Sequence, residues 1–320
     1  MRILIIGFSK IAQNRILPAL LKIPEVTAID IASERSAKLV SGGIKNLGSI
    51  FDNYEDAFNN SNAELVYVST VNIAHAGLVE KALRKMMHVI VDKPAFTDFN
   101  DAQRLVELAR KSGLCLAESL VYAYHEQIKI IEDMFSKTGS SPQRLLVNFS
   151  IPPMPEDNFR YSRELGGGAL FDLGPYAVSV GRIFFDNEVP QELFARVCSR
   201  GGKDEIDISF SMMALYSKGR SMTGHFGFDT QYRNHLDLLS PDISVSLDRI
   251  FTTTPDLENQ IQVQRSNKKE LVSAPKCDSF LVFLKSVFAA IRSGSYDRFS
   301  DDLLADSALL SRLRKAALGG

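Results

Sequence analysis

Asp172 and Tyr176 stand four positions apart in the apolar stretch GGGALFDLGPYAVSVG, residues 166–181. Lys93 follows the apolar run HVIV in HVIVDKPAF. A carboxylate, a phenol and an ammonium can together give or take a proton at a substrate oxygen. The phenol suits that task when a cation stabilises its phenolate, because its ordinary pKa is ~10. Each residue also has a plainer reading: an exposed turn lysine, a helix-capping aspartate, a core tyrosine.

Position must separate the two readings. Pro175 lacks an N–H and belongs in a first helical turn, where that donor has no intrahelical partner. The spacing therefore predicts a helix that starts near 170–172 and runs through YAVSVGRIFF. Asp172 and Tyr176 are then i and i+4 on one face at the helix entry. The glycines before them let another group approach the backbone closely. Lys93 follows an apolar strand, and open α/β sheets place ligands at the carboxyl ends of their strands.

The first ~120 residues alternate short apolar runs with helical patterns. RILIIGF, VTAIDIAS, ELVYVST, HVIVDKP and LCLAES read as strands. IAQNRILPALLKI, ERSAKLVSGG, IAHAGLVEKALRKM and FNDAQRLVELARKSG read as helices, with Gly42-Gly43 and Gly113 as stops. Such alternation implies a doubly wound parallel sheet with helices on both faces, an α/β domain over 1–120. Residues 121–320 read as an α+β domain. AYHEQIKIIEDMFSKTG is a helix ended by Gly139, followed by RLLVNFSI, LFARVCS, DISFSMMAL, SMTGHFGF, HLDLLSP, ISVSLDRIF and QIQVQRS. Consecutive strands without helices between them imply a large, mostly antiparallel, open-faced sheet. CDSFLVFLKSVFAAIRSG and SDDLLADSALLSRLRKAAL close the chain as two helices, each opened by an Asp/Ser cap.

At the end of the first strand, IIGFSKIAQ puts Gly7, Ser9 and Ala12 at the three positions of G-x-G-x-x-G/A. That pattern gives a tight turn, close approach to a pyrophosphate and close helix–strand packing. A tight turn with no ligand is the alternative. At the end of the second strand, in DIASERS, Ser33 takes the place of a ribose-binding acid, with Arg35 just beyond. This favours NADP over NAD. Asp30 lies inside the strand, although Asp30 or Glu34 could still turn to the ribose.

Bulk properties exclude other classes. The 320 residues are 45% apolar and 23% charged with a net charge of −1, which describes a soluble globular chain and no binder of nucleic acid. No apolar run approaches the ~20 residues that span a bilayer, and MRILIIGF reads as a strand rather than a leader. Cys115, Cys198 and Cys277 are widely spaced, as suits free thiols in the cytoplasm. The five histidines show no metal-binding spacing, so no metal is expected.

GFSKIA, STVNIAH (69–75), DKP and NFRYSRELGGGALFDLGPY occur in the order and spacing of the Gfo/Idh/MocA oxidoreductases, and the chain resembles that family over nearly its whole length. Lys93 matches the lysine of the family's EKP, and 166–176 matches GGGxLxDxGxH with Tyr176 in place of the histidine. That replacement resembles the branch with nucleotide-sugar 3-ketoreductases, glucose–fructose oxidoreductase and dihydrodiol dehydrogenases. Ser9, Val71 and Glu126 depart from the family's glycine, proline and proline.

The resemblance implies Lys93, Asp172 and Tyr176 as catalytic. Either Tyr176 or Lys93 is the proton donor. It implies cofactor contacts from Gly7, Phe8, Ser9, Ile11, Ala12, Ser33, Arg35, Ser69, Thr70, Asn72, His75, Asp92, Lys93 and Pro94. Substrate contacts fall to Lys93, Tyr122, His125, Arg160, Arg163, Asp172, Tyr176, Tyr232 and Asn234. The expected reaction is hydride transfer between the nicotinamide of NADP or NAD and a sugar carbonyl or hydroxyl, with a nucleotide-linked ketosugar first. A dehydrogenase of free sugars, inositols or dihydrodiols is the alternative enzyme, and a non-catalytic dinucleotide sensor the alternative of another class. A homodimer or homotetramer through the second-domain sheet is expected.

Overall fold

Strand β1, Arg2–Ile6, is fully buried from Ile3 to Ile6, as befits a central strand covered on both faces. The computed structural model describes residues 1–34 and 44–319. Around β1 lie β2 (Ala28–Ala32), β3 (Leu47–Phe51), β4 (Leu65–Val68), β5 (His88–Val91) and β6 (Leu116–Glu118). Their order among the described residues is β3-β2-β1-β4-β5-β6, and every pairing is parallel. The predicted first helix contains a π-helical turn, Ala12–Ile16, followed by α1, Leu17–Leu20. Helices α2 (Tyr54–Asn60), α3 (His75–Arg84) and α4 (Phe99–Lys111) follow. Gly113, at φ +65°, closes α4 as expected. The predicted helix at 34–43, with its Gly42-Gly43 stop, lies outside the described residues.

Two elements of this sheet region escaped the sequence pattern. Strand β3 is an edge strand with half-exposed residues and no apolar run. Gly48 within it is required by a neighbour, since a Cβ there would lie 2.2 Å from Asp30 Oδ1. Helix α2 is short and is capped by Asn53, which accepts from Asp56 N–H at 2.8 Å.

The second sheet comprises β7 (Arg144–Ser150), β8 (Glu192–Gly201), β9 (Ile206–Leu215), β10 (Ser221–Gly227), β11 (Arg233–Leu239), β12 (Ser244–Asp248), β13 (Asn259–Arg265) and β14 (Lys268–Ala274). The order is β14-β13-β12-β11-β7-β10-β9-β8. Only the β7–β10 pairing is parallel among the described residues. Strand β14 was not foreseen, because KKELVSA opens with charges and is exposed over most of its length. Helix α5, Glu126–Thr138, ends at Gly139 with φ +68°.

The predicted helix through 170–185 is in fact two. Helix α6 (Ala169–Asp172) stops at Leu173, and α7 (Gly174–Phe184) starts with Pro175 in its first turn. Asp172 thus ends one helix while Tyr176 opens the next, and the i, i+4 argument within a single helix does not apply. The last helices are α8 (Ser279–Ser293) and α9 (Asp297–Leu318), the latter starting three residues before the expected Ser300.

By contacts the chain forms two units, Met1–Leu120 with Phe280–Ser307, and Val121–Ser279 with Ala308 onward. Residues 280–307, read from sequence with the second domain, cluster with the first. Phe280 lies under the Arg15 guanidinium at 4.5 Å, and Leu303 joins the core beneath the parallel sheet. No helix among the described residues is long and apolar enough to cross a membrane.

Candidate active site

The first unit carries the turn after β1. Gly7 has φ +83°, and a Cβ there would lie 2.2 Å from the Ser69 carbonyl oxygen. Only glycine fits that approach. Ser9 does not crowd the turn with its side chain. Its hydroxyl accepts from the Ala12 N–H at 3.1 Å and lies 2.7 Å from the Ser69 hydroxyl. Ala12 is fully buried, as the third fingerprint position requires, whereas Ile11 is exposed. The Phe8 carbonyl accepts from Gln13 Nε2 at 2.8 Å.

The Asp92-Lys93-Pro94 segment is fixed from both sides. Asp92 accepts from the Tyr67 hydroxyl at 2.6 Å and from the Ser69 hydroxyl at 2.5 Å. Burial first, then the nearby Asp92 charge, pushes the Tyr67 phenol well up, so it stays a donor. The peptide bond between Lys93 and Pro94 is cis. His75 Nδ1 lies 3.0 Å from the Pro94 carbonyl, and its Nε2 lies 3.3 Å from that of Thr70. Burial lowers the His75 pKa despite Asp92, so the ring is neutral and donates through one nitrogen. Glu118 Oε1 accepts from the Ala95 N–H at 2.7 Å. Asn72 is buried in the short turn before α3.

At the ribose end, one open alternative closes. Asp30 is fully buried and accepts from Arg2 at 2.8 and 2.7 Å, from Ser49 N–H at 2.7 Å and from Ser61 at 2.7 Å. Its burial raises its pKa, but these donors outweigh that and lower it overall. It is a structural anion, not a ribose ligand. Ser33 is buried and its N–H donates to the Phe51 carbonyl at 3.0 Å. Arg35 lies outside the described residues.

In the second unit the glycines meet two neighbours. The Gly167 and Gly168 N–H groups donate to the Ser162 and Arg160 carbonyls, each at 2.9 Å. A Cβ on Gly167 would lie 2.5 Å from the Arg160 carbonyl oxygen, and one on Gly168 would lie 2.6 Å from Asp207 Oδ1. The Leu170 N–H donates to Asp207 Oδ2 at 2.6 Å. Sequence reading missed Asp207, which burial pushes up in pKa.

Arg160 Nε donates to Asp172 Oδ2 at 2.9 Å. Burial works against the Arg160 cation, but Asp172 and, more weakly, Tyr176 raise its pKa. Tyr176 lies among aromatic rings, with centroids 5.0 Å from Phe251, 5.2 Å from Phe149 and 5.8 Å from Tyr122.

Other predicted contacts divide. Tyr122 is buried and its hydroxyl lies 2.8 Å from Ser179 Oγ, which itself donates to the Pro175 carbonyl. His125 caps α5, accepting from the Gln127 N–H at 3.2 Å, and its buried Nε2 meets no hydrogen-bond partner among the described residues. Burial holds its pKa low despite Glu126. Asn234 donates to Tyr232 and to Thr252, at 3.2 and 2.7 Å, fixing an exposed tyrosine. Arg163 donates instead to the Asp204 carbonyl at 2.7 Å.

Known proteins were compared with the chain. A family model described as "Oxidoreductase family, NAD-binding Rossmann fold" matches residues 1–119, and one described as "GFO/IDH/MocA C-terminal domain" matches 142–247. A dTDP-3,4-didehydro-2,6-dideoxy-alpha-D-glucose 3-reductase of Actinomadura kijaniata is 28% identical, covering 99% of this chain and 95% of that protein. A protein of the same description from Saccharopolyspora spinosa is 27% identical with the same coverage. The crystal structure of KijD10, a 3-ketoreductase from Actinomadura kijaniata in complex with NADP and TDP-benzene, is 27% identical with a TM-score of 0.90. The match covers 99% of this chain and 98% of that one.

Proposed function

Because the chain belongs to the Gfo/Idh/MocA family of NAD(P)-dependent oxidoreductases, we propose that it reduces the ketone of a nucleotide-linked sugar with NADPH. Residues 1–120 serve the cofactor, and 121–279 the sugar and self-association. The carrying observation is that Lys93, Asp172 and Tyr176 are all present, with Asp92 beside Lys93 held by Tyr67 and Ser69, Asp172 held by Arg160, and Tyr176 in the first turn of α7. The full-length likeness to dTDP-sugar 3-reductases, and to a relative solved with NADP, supports the substrate class and the cofactor.

The turn residues fit a dinucleotide. Gly7 is left-handed, Ala12 is buried, and the Ser9 side chain is drawn to Ser69. Gly7, Phe8, Ser9, Ile11 and Ala12 would hold the pyrophosphate, and Ser33 with Arg35 the ribose phosphate. The hydride is supplied by NADPH when bound. Lys93 hydrogen-bonds the sugar oxygen and stabilises charge that develops on it. Tyr176 gives that oxygen its proton, and its phenolate is stabilised by neighbouring cations. Asp172, held by Arg160, orients the tyrosine or a sugar hydroxyl.

We further propose self-association through the open face of the second sheet. Phe194, Met213 and Leu146 are exposed on it and are linked through Thr223 by direct cross-strand pairing. The cysteine pattern supports a cytoplasmic setting. The test is NADPH oxidation against a panel of dTDP-linked ketosugars and free polyols. Turnover of the linked ketosugars alone supports the reading, and turnover confined to unphosphorylated polyols overturns it.

A further inference from the structure

Ser9 stands where the fingerprint has its middle glycine, and its hydroxyl begins a chain of hydrogen bonds. The Ala12 N–H donates to Ser9 Oγ at 3.1 Å, and Ser9 Oγ lies 2.7 Å from Ser69 Oγ. Ser69 Oγ donates to Asp92 Oδ2 at 2.5 Å. A serine has one proton to give. The Ser69 proton goes to the carboxylate, so Ser9 must be the donor to Ser69. Every proton in the chain therefore points towards Asp92. Tyr67 donates to the other carboxylate oxygen at 2.6 Å. Beyond Lys93, His75 meets the Pro94 carbonyl and Glu118 holds the Ala95 N–H. The lysine's backbone is gripped on both sides, and on the Asp92 side the grip continues to the cofactor turn.

We propose that Ser9 is a positioning residue for Lys93, because its hydroxyl ties the cofactor turn through Ser69 and Asp92 to the backbone that carries the lysine. The inference rests on Lys93 acting as in the proposed function. A glycine at position 9 cannot make either bond, and it leaves the Ser69 oxygen and the Ala12 N–H without this partner. The substitution in this chain is then a gain of order at the lysine.

The test uses the full chain with Ser9→Ala, Ser9→Gly and Ser9→Thr, and Ser69→Ala beside them. The first readout is the rate of reductive methylation at Lys93, without added cofactor, followed by peptide mass spectrometry. Breaking the link to Asp92 is expected to raise that rate about threefold to tenfold in Ser9→Ala, Ser9→Gly and Ser69→Ala. Ser9→Thr, which keeps the hydroxyl, restores the wild-type rate. Other lysines serve as internal controls, because general loosening raises their rates too. The second readout is turnover of a dTDP-linked 3-ketosugar. There kcat at saturating NADPH falls by a similar factor in Ser9→Ala, beyond any change in the Kd for NADPH. Unchanged methylation at Lys93 in Ser9→Ala overturns the inference, as does a loss confined to NADPH affinity. Failure of the wild-type protein to turn over the sugar sinks the proposed function alone, since the methylation rates still decide the role of Ser9.

Discussion

Asp92 and Asp172 stand beside the proposed catalytic residues, one in each unit, Asp92 partly and Asp172 almost wholly buried, and they are held in opposite ways. Asp92 accepts hydrogen bonds from two neutral hydroxyls, those of Tyr67 and Ser69, beside a neutral histidine. Asp172 takes its bond from a guanidinium, Arg160. The difference matches the roles proposed for the two sites. Asp92 fixes a backbone whose neighbour, Lys93, brings its own charge. Asp172 is anchored by a cation that also interacts, more weakly, with Tyr176, the support a phenol would need for the proton transfer proposed for it.

The contrast can be broken by substitution. Arg160→Met takes the cation from a nearly buried carboxylate and is expected to cost about 3 kcal/mol, measured by urea unfolding. Arg160→Lys should recover part of this, since it restores the charge without the Nε geometry. On the other side, His75 has a folded pKa below its unfolded one. Its contribution is therefore present above the unfolded value and declines as pH falls below about 6.5, by at most about 1.4 kcal/mol per pH unit. A stability–pH curve for His75→Gln should be flatter there. Ser69→Ala should be the mildest, at about 1 kcal/mol, because Tyr67 still serves Asp92. If Ser69→Ala costs as much as Arg160→Met, the distinction between neutral and charged support fails.

Much of this was legible in the sequence, and the misses have physical causes. The parallel sheet announced itself through fully buried apolar runs such as Ile3–Ile6. The glycines at 166–168 signalled close approach, but not by what. Asp207 is 37 residues from Leu170, on strand β9, and no local pattern links them. Pro175 does sit in a first helical turn, yet that turn opens α7 at Gly174 rather than a helix starting near 170–172, and the break at Leu173 was hidden because ALFDLG is as helical in composition as its continuation. Arg163 carries the charge expected of a substrate contact, but its guanidinium finds the Asp204 carbonyl nearby. Asp30 could be kept from the ribose only once Arg2, Ser49 and Ser61 were seen around it.

The central claim is that Lys93 serves the reacting oxygen rather than the fold or the cofactor alone. Lys93→Met tests it in single-turnover NADPH oxidation with a dTDP-linked 3-ketosugar, alongside NADPH titration. The account predicts a loss of about 10³ or more in the rate of hydride transfer, with NADPH still bound. A rate near that of the wild-type protein would contradict it.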